Sequence, residues 1–144
     1  MPAPSIQELK KTIVQAGFEV YRARGSEIQL AERPRDNLIM DAGLTILLEE
    51  PLRMRLVVRA QKADFPGESD DDLFRRASSL AASQVARGFA EAARRTRQLP
   101  DPGDPSHILD TWYEVIFERA FPGGITELLA ELPALFRLDK AASR

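Results

Sequence analysis

From Arg53 to Gln61 the chain alternates with a period of two. Met54, Leu56, Val58 and Ala60 share one parity, and Arg53, Arg55, Val57, Arg59 and Gln61 share the other. A strand turns successive side chains to opposite faces, so this segment has one apolar face and one face carrying three guanidinium groups. An apolar set on one side of a strand must be covered, and the arginine side is left for solvent or a partner. The alternation therefore commits this part of the chain to a half-buried strand.

The segments before it read the same way. Ser5 followed by Glu8 is a capping box ahead of the apolar stripe Ile6, Leu9, Ile13 and Ala16, and Gly17 ends that helix. From Phe18 the period is two. Phe18 and Val20 flank Glu19, Ile28 and Leu30 alternate with Glu27 and Gln29, and Arg24-Gly25-Ser26 forms the reversal between them. Asn37 to Met40 is either a short third strand or a connection, and Leu44 to Glu50, with Leu44, Ile46 and Leu48 on one side, is a further strand.

After Phe65-Pro66-Gly67, Ser69 caps a long helix with Asp70, Asp71 and Asp72 in its first turn, where exposed amides favour negative charge. Leu73, Ala77, Leu80, Ala81, Gln84, Val85, Gly88, Phe89 and Ala92 trace its apolar face. Arg94, Arg95 and Arg97 fall in its last turns, before Pro100. Pro100 to Ser106, with three prolines and a glycine, reads as a loop. Thr111 to Phe117 is rich in aromatic and β-branched residues and is assigned to a strand, although its apolar spacing also fits a helix. Phe121-Pro122-Gly123 repeats the earlier tripeptide, and both are expected to be strand-to-helix turns. The last helix, with Leu128, Leu129 and Leu132, is expected to bend or break near Pro133.

The expected fold class is therefore α+β. A curved antiparallel sheet of four or five strands is covered on one face by the long central helix, with the N- and C-terminal helices packed beside it. A chain of 144 residues is enough for a single domain, placed at residues 5–142. In size and element order this resembles the YbjN-like domains and the related type III secretion chaperone-like fold. The resemblance implies a small cytoplasmic protein, often a homodimer, that binds or regulates another protein and has no catalytic residues. Secretion chaperones commonly carry two strands after the central helix, whereas one is readable here.

Composition removes several function classes. There is no cysteine, so disulfides, thiol catalysis and thiolate metal sites are excluded, and the single histidine, His107, cannot build a multi-histidine centre. Twenty basic and 22 acidic residues leave a formal charge of -2, which provides no general field toward nucleic acid or an anionic membrane. Met1 to Ser5 lacks the features of a signal peptide and no apolar run is long enough to span a bilayer, so the expected location is cytoplasmic, without a membrane partner.

The candidate contact residues are Arg53, Arg55 and Arg59, on one strand face where alternate positions lie about 7 Å apart, and Trp112, which as part of a strand faces away from Tyr113 and Phe117. The competing account of the arginines is a solvated face paired with Glu49, Glu50 or carboxylates of neighbouring strands. Glu68, Asp70, Asp71 and Asp72 lack the spacing of a calcium loop and read as helix capping. His107, beside Asp104 and Asp110, has no nucleophile at a recognised spacing, and Gly123-Gly124 lacks the lysine of a phosphate loop. The expectation is no catalytic residue, no metal and no cofactor, with another protein as partner. Two alternatives remain open: a small-molecule-binding protein or small enzyme with a pocket assembled by the fold, and a nucleic-acid accessory protein using the arginine strand.

Overall fold

The computed structural model describes residues 5–35 and 38–142, with side chains at all of these except 33–35, 38–42 and 136–142. In chain order these residues form α1 (Ile6–Gln15), β1 (Val20–Arg24), β2 (Glu27–Arg35), β3 (Leu38–Leu47), β4 (Leu52–Gln61), α2 (Asp70–Ser79), α3 (Ala82–Val85), β5 (Ala90–Asp101), β6 (Asp104–Phe121) and α4 (Gly124–Ala142). The strands make one antiparallel sheet of six, in the order β1-β2-β3-β4-β6-β5. This corrects the expected fold in two respects: among the described residues the sheet has six strands instead of four or five, and there is no long central helix.

The expected helix is interrupted first after Ser79, where α2 ends, and is closed after α3 by Gly88. Its φ is +98°, a left-handed angle that side-chain-bearing residues avoid. Around it the Gly88 N–H donates to the Val85 carbonyl and the Phe89 N–H to the Gln84 carbonyl, which is the Schellman arrangement that terminates a helix. As far as Gln84, the stripe residues Leu73, Ala77, Ala81 and Gln84 are buried, whereas Leu80 is 39% exposed. Past Gly88, Phe89 is still buried at 2% exposure, but Ala90 onward is a strand. Arg94, Arg95 and Arg97 consequently lie on β5 and not in a final helical turn. The same pair of bonds ends α1, from Gly17 to Val14 and from Phe18 to Ile13, with φ of +96° at Gly17.

The protein comprises two compact units. The first comprises Met1–Leu56 with Glu118–Arg137. Its helix α1 starts where Ser5 accepts the Glu8 N–H at 3.2 Å and buries Leu9 and Ile13; it packs on β1 and β2. Those two strands form the hairpin expected at Gly25, whose φ is +60°. The two strand candidates at residues 37–40 and 44–50 fall on one strand, β3, which ends at Leu47 short of residues 48–50, with Asn37 outside the described residues. They look separate in the sequence because of a bulge. Gln29 pairs with Thr45 but Ala31 with Asp41, so β3 carries extra residues around Gly43, whose φ is +80°. Ile28, Leu30, Leu44, Ile46, Met54 and Leu56 are buried in this unit, together with Phe121, Leu128, Leu132 and Leu135. α4 continues past Pro133 to Ala142, so the expected break does not occur.

The second unit comprises Val57–Phe117 with Leu138–Arg144. Ser69 accepts the Asp72 N–H at 3.2 Å and starts α2 as expected. Five consecutive residues of β6, Tyr113 to Phe117, are buried, whereas residues 104–109 are exposed. The segment of ambiguous spacing is therefore a strand, and both sides of its central part are covered. Nine consecutive residues of β5, 90–98, are exposed. The proline-rich stretch is a two-residue turn at Pro102-Gly103 and not a loop to Ser106, with the Asp101 carboxylate accepting the Gly103 N–H at 2.9 Å. Pro100 fits within β5 because that strand ends the sheet, where a missing amide breaks no ladder bond. Both Phe-Pro-Gly tripeptides lie between a strand and a helix, residues 65–67 ahead of α2 and 121–123 ahead of α4.

Candidate protein-binding surface

β6 lies between β4 and β5, and each of the three strands turns one side of its pleat toward a shared cluster in the second unit. Trp112 and Glu114 share a parity on β6, Arg95 and Arg97 share one on β5, and Arg59 belongs to the arginine parity of β4. Glu114 is the centre. The Arg59 Nε and Nη2 donate to its Oε2 at 3.0 and 2.6 Å, the Arg95 Nε donates to its Oε1 at 2.7 Å, and the Arg97 Nη1 is 3.9 Å from Oε2. The glutamate side chain has no exposure, while the arginines are 35%, 50% and 56% exposed. One carboxylate thus holds three cations at the surface by their inner ends.

Loss of solvent pushes the Glu114 carboxyl up, but the hydrogen bonds from Arg59 and Arg95, with their charges, outweigh it and hold the group below the ordinary glutamate range. It is an anion at neutral pH. Three guanidinium groups against the carboxylates of Glu114 and Asp110 leave a local charge of about +1 in a chain of net charge -2.

Trp112 is the apolar part of the surface. The Arg59 guanidinium lies over its ring at 3.9 Å and that of Arg97 at 6.0 Å. Its Nε1–H donates to Asp110 Oδ2 at 3.1 Å. Asp110 is itself fixed, because its Oδ1 accepts the backbone N–H of Ala63 at 3.0 Å and of Thr111 at 2.8 Å. The indole is half-buried and held from both its face and its edge. It does not need to be ordered when a partner arrives.

Of the four residues singled out in the sequence, Arg59 and Trp112 come together here. Arg53 and Arg55 belong to the first unit and to a different network. Arg53 is 3.3 Å from Glu49 and 3.8 Å from Glu118, and Arg55 is 3.2 Å from Glu118 and 3.5 Å from Glu27. Two arginines against three glutamates leave no positive surplus, and these side chains act as cross-strand ties. Sequence reasoning missed Arg95, Arg97 and Glu114. The first two were assigned to a helix. The third had a usable signal, since Glu114 is a lone carboxylate between Tyr113 and Val115 in the most apolar stretch of the strand.

The other polar candidates have structural partners. The Glu68 carboxylate accepts both Nε and Nη2 of Arg76, whose hydrogen bond lowers the carboxyl and raises the guanidinium. Asp70 accepts the Tyr113 hydroxyl at 2.7 Å, and that bond, followed by burial and the carboxylate charge, raises the tyrosine pKa. Asp72 takes Arg75 at 2.8 Å. No group of three or more metal-capable side chains gathers among the described residues. His107 is exposed on β6 and is 3.7 Å from Asp101, not beside Asp104 or Asp110. Asp104 instead accepts the Ser106 hydroxyl at 2.6 Å.

A shallow groove of about 230 Å³ runs along Arg59, Gln61, Asp64, Phe65, Arg76 and Ser79. This is smaller than the usual roughly 300–1,000 Å³ of small-ligand sites. No helix of the described residues is long and apolar enough to cross a membrane. Compared with protein families, curated proteins and solved structures, the chain matches none.

Proposed function

We propose that this chain is a noncatalytic regulatory or chaperone-like module that binds another protein in the cytoplasm, with Trp112, Arg59, Arg95 and Arg97 as its contact surface. The observation that carries the reading is the Glu114 cluster. It combines a pre-ordered tryptophan with guanidinium groups that are fixed at one end and open to solvent at the other, and tryptophan and arginine are the residue types that most often dominate binding energy. The resemblance to YbjN-like and secretion-chaperone domains is part of this proposal.

The surplus charge is confined to one cluster and Arg53 and Arg55 are already paired with glutamates, which favours a protein over a nucleic acid. The test is crosslinking at native abundance with identification of the attached chains, repeated with Trp112→Ala and Arg97→Gln. The expected result is a partner whose linkage maps to residues near 95–112 and falls by about tenfold in the double variant. A monomer that attaches to no other chain, or a linkage indifferent to both substitutions, overturns the proposal.

A further inference from the structure

β5 ends the sheet, and its outer backbone groups have no strand partner among the described residues. We infer that this edge receives an extended acidic segment of the partner protein as an added strand. The inference rests on the protein-binding reading above and names the chemistry of what is bound. Strand addition takes its affinity from main-chain hydrogen bonds and its specificity from alternate side chains.

Three observations favour β5. It is 12 residues long, whereas the opposite edge, β1, has five and a register shift between Val20 and Arg22, which blunts an edge against pairing. Residues 90–98 of β5 are exposed in sequence, so no side chain among the described residues buries this part of the strand. The edge also carries a positive surplus. Arg95 and Arg97 occupy one face, about 7 Å apart, while Arg94 on the other face is held by Glu91 at 2.9 Å. A carboxylate at every second position of an incoming strand meets Arg95 and Arg97 as cross-strand neighbours.

A second copy of this chain is the poorer occupant. It brings the same three arginines to the same edge, and β5 offers no apolar residue between Ala93 and Leu99 for two copies to bury.

The experiment uses the full chain and a fluorescent ten-residue peptide of alternating glutamate and valine, read by anisotropy and by amide hydrogen exchange. The charge-matched control alternates glutamate with proline, which keeps the carboxylates and removes half the backbone donors. The expected result is binding that protects amides within residues 90–98, weakened about tenfold in the proline peptide and about tenfold by Arg95→Gln with Arg97→Gln. Exchange at the buried amides of 113–117 shows whether that variant is folded; if it is not, the proline comparison on the wild-type chain decides.

Equal binding of the proline peptide, absence of binding, or binding without protection of β5 overturns the inference. So does β5 protection in the free protein that rises with its concentration, which assigns the edge to a second copy, or tighter binding of polyuridine RNA with protection of the same amides. If crosslinking recovers a partner while the peptide fails, the edge assignment falls and protein binding stands. If neither finds a ligand, both fall.

Discussion

Replacing Glu114 with glutamine keeps the shape of the side chain and removes its charge. In the native protein that carboxylate receives two donors from Arg59 and one from Arg95, and has Arg97 at 3.9 Å. Each hydrogen bond to a charged group contributes about 1.5–3 kcal/mol, and removing one partner of a buried ion pair costs about 3–5 kcal/mol. The full figure does not apply here, because the arginines are between 35% and 56% exposed and water takes up part of what they lose. Glutamine still offers one acceptor, but its NH2 faces a guanidinium, donor against donor. The expected loss at neutral pH is about 2–3 kcal/mol, or about 4–12 °C in Tm for a chain of this length.

The pH dependence separates this account from a packing effect. A carboxyl held below its ordinary range in the folded state stabilises the fold above the unfolded-state pKa, and that stabilisation is lost as pH falls through the lowered folded value. Urea unfolding of wild type and Glu114→Gln at pH 7 and at successively lower pH therefore shows a gap that is widest at pH 7 and closes in acid. A variant within about 0.5 kcal/mol of wild type at pH 7, the range of an ordinary surface change, refutes the reasoning. A gap that stays constant into acid refutes it equally.

Arg59→Gln uncovers one face of Trp112, the single tryptophan, so its emission shifts to longer wavelength and acrylamide quenches it more strongly; an unchanged spectrum excludes the stacking. Gly88→Ala places a β-carbon on a residue with φ of +98° and destabilises by about 1–2 kcal/mol in urea unfolding, whereas Gly67→Ala, without a positive φ and with nothing within 4 Å, stays close to wild type. The Tyr113 hydroxyl donates to Asp70, so its ionisation, followed by ultraviolet absorbance, lies above the ordinary tyrosine range and moves down in Asp70→Ala. The stabilisation from that bond is present below the unfolded tyrosine pKa and is lost as pH rises through the folded one.

What the sequence reveals depends on whether a signal is local. The alternation at residues 52–61 becomes β4 with a fully alternating burial pattern, and Ser5 and Ser69 cap helices where they stand. Gly17 and Gly88 are the instructive pair. Each precedes a phenylalanine and each ends a helix by the same two bonds, but only the first was read as a stop. At Gly88 the residues on either side, Val85 and Ala92, continue a helical stripe, and the period outweighed the glycine. The edge strand beyond it has no alternation to read, since both sides of 90–98 face solvent. With β5 hidden, Arg95 and Arg97 were unreadable as strand neighbours of Glu114, and half of the candidate surface went with them. Arg53 and Arg55 show the converse: their parity is plain in the sequence, but their partner Glu118 is more than sixty positions away.

The part of the β5–β6 hairpin beyond Asp110 has a consequence for how the protein can vary. Residues 104–109 and most of β5 contribute nothing to the buried interior. Adding two residues to each strand at the Pro102-Gly103 reversal preserves the parity of every pair and leaves Glu114 and Trp112 where they are. Such insertions lengthen the arm by about 7 Å without altering a core contact. The reach of this arm can be retuned independently of the fold that carries it.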